Sequence, residues 1–140
     1  PQLEELSFAR QTIEPQLAKL ASSRVNDADI TTLENIDHLL DLAIEQGDVR
    51  GYLEHNYSFH RTLYDYSGAK ILVSIADALW LRVGPSLRVV CGRYGTMNLP
   101  DKHSEALSAL RTGDGDAVAT AICEDIEQGH SQIKLALGAR

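Results

Sequence analysis

No apolar stretch of this 140-residue sequence approaches the roughly 20 residues needed to cross a bilayer. Nor does a charged segment lead into an apolar one at the amino end, as in a signal peptide. The chain therefore reads as a soluble, cytoplasmic protein with no membrane partner. Basic charge is scarce as well. Thirteen Lys and Arg stand against twenty Asp and Glu, a net charge of −7, and no dense basic cluster offsets it. Such a surface repels phosphate backbones, which argues against direct nucleic-acid binding by this segment. The two cysteines, Cys91 and Cys123, lack C-x-x-C spacing and read as reduced thiols. Catalytic signatures are missing too: there is no G-x-S-x-G, no H-E-x-x-H, no phosphate-binding glycine loop and no paired E-x-x-H.

Nothing alternates with period two for long enough to form a strand, and what remains is helical periodicity. The length suits a single domain, 1–140, with one hydrophobic core. Leu3, Leu6, Arg10, Ile13, Leu17 and Leu20 recur at spacings of three and four on a first helix. Asn26 or Asp27 caps a second, with Ile30, Leu33, Ile36, Leu40 and Ile44 as its stripe and Gly47 as its stop. Asp48 caps a third, with Val49, Leu53, Asn56, Phe59, His60 and Leu63 facing inward. A long apolar helix over 70–90, carrying Trp80, is either central or buries a second face against a partner. Gly84-Pro85 should kink or break it, and a loop follows from Gly92 to Pro100. Pro100-Asp101 opens a fifth helix bearing His103, Ala106, Leu107 and Leu110. Asp114 or Asp116 caps a last one, with Val118, Ile122, Asp125, Gly129 and Ile133. The expected fold is all-α, an antiparallel bundle of about six helices.

Four polar residues sit where these stripes should be apolar: Asn56 and His60 on one helix, His103 and Asp125 on two others. Buried imidazole and carboxylate are costly unless paired or bound to a metal. Asn56 and His60, four apart, leave one helix face together. Two imidazoles, a carboxylate and an amide oxygen make a donor set suited to zinc or nickel and tolerable for manganese. Arg10 breaks a stripe on yet another helix, and a core guanidinium needs an anion. It would take a small carboxylate that bridges to the metal, or pair with Asp125 or Glu14 as a structural salt bridge. His38 and His55 lie beside their stripes and read as exposed, and His130 is too far round its helix to join Asp125. Trp80, Tyr52, Tyr57, Tyr64 and Tyr66 read as packing, although Tyr64 or Tyr66 could lend a hydroxyl to a pocket.

These motifs carry a family resemblance. Arg10-Gln11-Thr12-Ile13-Glu14-Pro15 resembles the opening of the C-terminal effector domains of GntR-type transcriptional regulators, the FadR-like or FCD domain. Asn56-Tyr57-Ser58-Phe59-His60 is similar to that family's D-x-x-F-H motif, and Tyr66-Ser67-Gly68 to its x-S-G-N turn. The run from His103 to Ala109 resembles its H-x-x-I-L-x-A, with Gly113-Asp114 before the last helix. The resemblance implies a helical bundle that binds a small organic or sugar acid, often at a divalent metal held by one Asp and three His. It also implies a homodimer, and operator-DNA control through an N-terminal winged helix-turn-helix that the start at Pro1 leaves outside this sequence. Carried over by position, His60 and His103 are metal ligands. Asn56 stands where the family has Asp, Asp125 where the last His aligns, and Ala69 replaces the Asn of the turn. The expected protein is a non-enzymatic regulator; the alternative is a small helical metalloenzyme in which His60, His103 and Asp125 hold a metal that activates water.

Overall fold

The computed structural model describes residues 2–93 and 101–138, with side chains for 2–83 and 101–138. These residues form α1 (Gln2–Ser22), α2 (Asp27–Gln46), α3 (Val49–Asp65), α4 (Lys70–Arg93), α5 (Lys102–Thr112) and α6 (Gly115–Gly138), and no strand occurs among them. Local chemistry sets the boundaries. The Asn26 side chain accepts from the Asp29 N–H at 2.8 Å while its own N–H donates to the Asp29 carboxylate at 3.0 Å, a reciprocal box that starts α2. Gly47 ends it in the left-handed conformation, φ 67°, where a side chain would be strained. Asp48, Asp101 and Asp114 accept from the N–H groups of Gly51, Ser104 and Ala117 and so cap α3, α5 and α6. Of the two caps expected for α6, Asp114 is the one used.

Three details depart from the periodic reading. On α1 the buried line is Ser7, Arg10, Glu14, Leu17, Ala18 and Ala21, whereas Leu20 is exposed; the stripe is rotated toward Glu14. On α2 the stripe continues through Asp37 rather than Ile36, which is only half-buried. And α4 runs on through Gly84-Pro85 to Arg93 instead of breaking. Proline removes one backbone donor, a cost a packed helix can carry, and α1 carries Pro15 in the same way. Of the expected loop from Gly92 to Pro100, positions 92 and 93 still belong to α4 and the remainder lies outside the described residues.

α1 packs on α6 and α4, α6 also on α5, and α3 on both α2 and α4. The main core gathers Leu17, Leu33, Phe59, Leu63, Val118 and Ile122 from α1, α2, α3 and α6, each fully buried side chain stabilising the fold by about 1.5–3 kcal/mol. The ring of Phe59 stacks on His103, centroids 4.1 Å apart and planes within 5°, so the apolar core forms one wall of the polar centre. Among the described residues no helix is long and apolar enough to cross a membrane.

Candidate metal centre

His60 lies in the last half of α3, buried because it follows Phe59 into the core. The first turn of α5 brings His103 against it, and α6 brings Asp125. Their inner atoms form a closed triangle: His60 Nε2 to Asp125 Oδ2 2.9 Å, His60 Nε2 to His103 Nε2 3.1 Å, His103 Nε2 to Asp125 Oδ2 3.2 Å. Three of the four residues expected to meet therefore do. Asn56 is buried one turn before His60 on the same face of α3, and takes no part in the hydrogen bonds that close the triangle.

Each histidine is also held from behind. His103 Nδ1 is 3.1 Å from Asp37 Oδ1 on α2, and Asp41 and Asp101 stand beside Asp37 with carboxylate atoms within 4.8 Å of one another. Burial alone would lower the His103 imidazole, but Asp125 and Asp37 outweigh it and raise the group to about 10. Burial would conversely raise Asp125; His103 and His60 overcome that and hold its carboxyl well below the usual range. Burial dominates at His60 and pushes it down toward the neutral ring, against the pull of Asp125. A negative surround thus concentrates on one point, which the free protein satisfies with a proton on His103.

His60 Nδ1 faces the Tyr64 hydroxyl at 2.9 Å, and that hydroxyl donates to Glu14 Oε1 at 2.6 Å. Glu14 also accepts from Trp80 Nε1 at 3.1 Å and from Arg10 Nε at 2.7 Å. Of the partners considered for Arg10, Glu14 is the one it has, and its guanidinium lies over the Trp80 ring at 4.6 Å. Arg10 also borders a cleft between α1, α4 and α6, about 270 Å³ with open solvent included, walled by Leu3, Leu6, Val83, Ile126 and Ile133. His130 reaches this cleft and pairs with Glu4 at 3.1 Å, away from the triangle. His38 is exposed and His55, expected outside, is half-buried. Cys123 is a free thiol; the Cys91 side chain lies outside the described residues.

Sequence reading gave Glu14 only as a possible salt-bridge partner, assigned Trp80 to packing, and passed over Asp37. Spacing held a signal for Glu14 and Asp37, and for Tyr64 as well. Glu14 is four residues after Arg10, Tyr64 four after His60, and Asp37 lies seven residues from both Ile30 and Ile44, closer to the helical period than Ile36.

The chain resembles known proteins over most of its length. Residues 5–128 match the FCD domain family. The HTH-type transcriptional regulator McbR of Escherichia coli (strain K12) is 27% identical over 131 residues, 91% of this chain and 59% of that protein. The HTH-type transcriptional repressor RspR of the same organism is 27% identical over 126 residues, 87% of this chain and 54% of that protein. The chain thus spans little more than half the length of these relatives. Among solved structures, E. coli McbR/YncC superposes with a TM-score of 0.87 at 24% identity, covering 96% of this chain and 68% of that one. Streptococcus agalactiae GntR follows with a TM-score of 0.77 at 22% identity, covering 92% and 58%; at such identities both likenesses bear on the fold alone. The chain belongs to the FCD domain family of GntR-type helix-turn-helix transcriptional regulators, as the motifs at Arg10, His60 and His103 imply.

Proposed function

We propose that this FCD domain senses a small organic or sugar acid at a divalent-metal centre. His60, His103 and Asp125 hold the ion, zinc or nickel, with the Asn56 amide oxygen as a further donor. Occupancy of the centre then controls operator binding by an N-terminal winged helix-turn-helix. The observation that carries this is the triangle of inner atoms, 2.9 to 3.2 Å on each side. Ligand atoms bonded at about 2.1 Å lie about 3.0 Å apart at right angles and about 3.4 Å apart at tetrahedral angles, so the donors stand at the octahedral separation and a few tenths of an ångström inside the tetrahedral one. Two imidazoles and a carboxylate also match the borderline softness of such ions. The outer partners, Asp37 behind His103 and Tyr64 behind His60, are the kind that orient metal-ligating histidines.

A bound ion would supply a Lewis-acid anchor for an effector carboxylate. Arg10 is the second anion contact in this reading. Glu14 engages its Nε closely and its Nη2 only at 3.5 Å, and the same guanidinium borders the cleft. The relatives are transcriptional regulators, in keeping with a centre that senses. Effector binding changes DNA affinity only if it favours one of two arrangements, and the coupling is reciprocal. A homodimer fits the exposed apolar face of α4, where Ile71 and Leu81 are 79% and 75% exposed and Ile75 lies between them. Calorimetric titration with organic and sugar acids, with and without added zinc or nickel, tests the reading. Binding that needs both the metal and an intact Arg10 is expected; acid binding indifferent to metal would refute it.

A further inference from the structure

Glu14 is fully buried, with 0% exposure, and metal binding by itself gives it no role. Its Oε2 accepts from the Arg10 guanidinium and its Oε1 from the indole N–H of Trp80, two groups that can only donate. Beside Arg10 the carboxyl group therefore acts as an acceptor. The Tyr64 phenol has one proton, which goes to Glu14 at 2.6 Å. Its oxygen then faces His60 Nδ1 at 2.9 Å with only lone pairs to offer, so Nδ1 carries the hydrogen of that contact. The other ring nitrogen, Nε2, faces His103 at 3.1 Å and the Asp125 carboxylate at 2.9 Å, and it is the nitrogen whose lone pair an ion between these groups would take.

We propose that Glu14 and Tyr64 form a buried positioning relay that fixes His60 in its Nδ1–H form and presents the Nε2 lone pair to the metal centre. His103 reaches the same orientation by a shorter route, since Asp37 accepts from its Nδ1 directly. The two histidines thus face the centre through the same nitrogen, each backed by a carboxylate, one of them through a phenol. Arg10 and Trp80 hold Glu14 in place, so the relay also joins the Arg10 edge of the cleft to a ligand of the ion. The effect on metal affinity rests on the metal reading above; the hydrogen on His60 Nδ1 does not.

The test is long-range ¹H–¹⁵N spectroscopy of the histidine rings in the full, metal-free chain, followed by zinc titration of the same samples. In the unmodified protein His60 should show a protonated Nδ1, with Nε2 bare once zinc is bound. In Glu14→Gln the new amide can donate to the phenol oxygen and turn the phenolic proton toward Nδ1, so the Nε2–H form should grow. Tyr64→Phe removes one oxygen and leaves the tautomer unspecified; it carries the test if Glu14→Gln fails to fold. Zinc affinity should fall about 10- to 100-fold in both variants with helical content unchanged. A His60 ring with no hydrogen on Nδ1 in the unmodified protein, or a folded Tyr64→Phe with unaltered ring signals and zinc affinity, would overturn the relay. A protein that takes up no zinc while His60 shows the Nδ1–H form contradicts the metal reading and supports the relay.

Discussion

His103 is the residue at which fold and site share one interaction. Asp37 from α2 and Asp125 from α6 meet its two nitrogens, with His60 of α3 across the triangle, and together they raise it from 6.5 to about 10 against the cost of burial. The folded value exceeds the unfolded one, so the stabilisation in metal-free protein is fully present below about pH 6.5 and is lost as pH rises through 10. Denaturant melts of metal-free protein from pH 7 to 10 should show falling stability, and His103→Gln should flatten that slope. Arg10→Ala should also destabilise, by about 3–5 kcal/mol, because it strands the buried Glu14 carboxylate; equilibrium unfolding measures this. At this scale Arg10, His60, His103 and Asp125 were legible because each is polar on an apolar stripe. Glu14 and Tyr64 were harder to assign a role, because both act through partners on other helices that local spacing does not reveal.

Helix ends were the most legible elements, since caps are written in adjacent residues. Asn26→Ala should cost about 1 kcal/mol through loss of the box with Asp29. Gly47→Ala should cost about 1 kcal/mol for the left-handed backbone, and nothing lies within 4 Å of the added Cβ to confuse the measurement. Thermal melts of both variants provide the check, and an unaltered melting temperature for Gly47→Ala would contradict the strained-cap account. Helix faces were less legible than ends. The α1 stripe turned toward Glu14, and the α2 stripe toward Asp37, because charged residues that find partners are tolerated where a count of apolar positions excludes them. The continuation of α4 past Pro85, like that of α1 past Pro15, shows that a proline signal by itself does not end a helix.

For the whole molecule, the bundle converts five helices into one polar centre: α3, α5 and α6 supply the inner atoms, α2 and α1 the charges behind them. The all-α class and order of helices followed from periodicity, and the family from motifs spread over the chain. An assembly of two copies through α4 predicts that Leu81→Glu, on an exposed face, shifts the protein toward monomer in analytical ultracentrifugation without lowering its melting temperature. The metal centre itself is tested most directly by elemental analysis of protein purified after growth with added zinc and nickel. The account predicts about one divalent ion per chain, lost in His60→Ala and in His103→Ala. Unmodified protein that carries no ion under those conditions would contradict it.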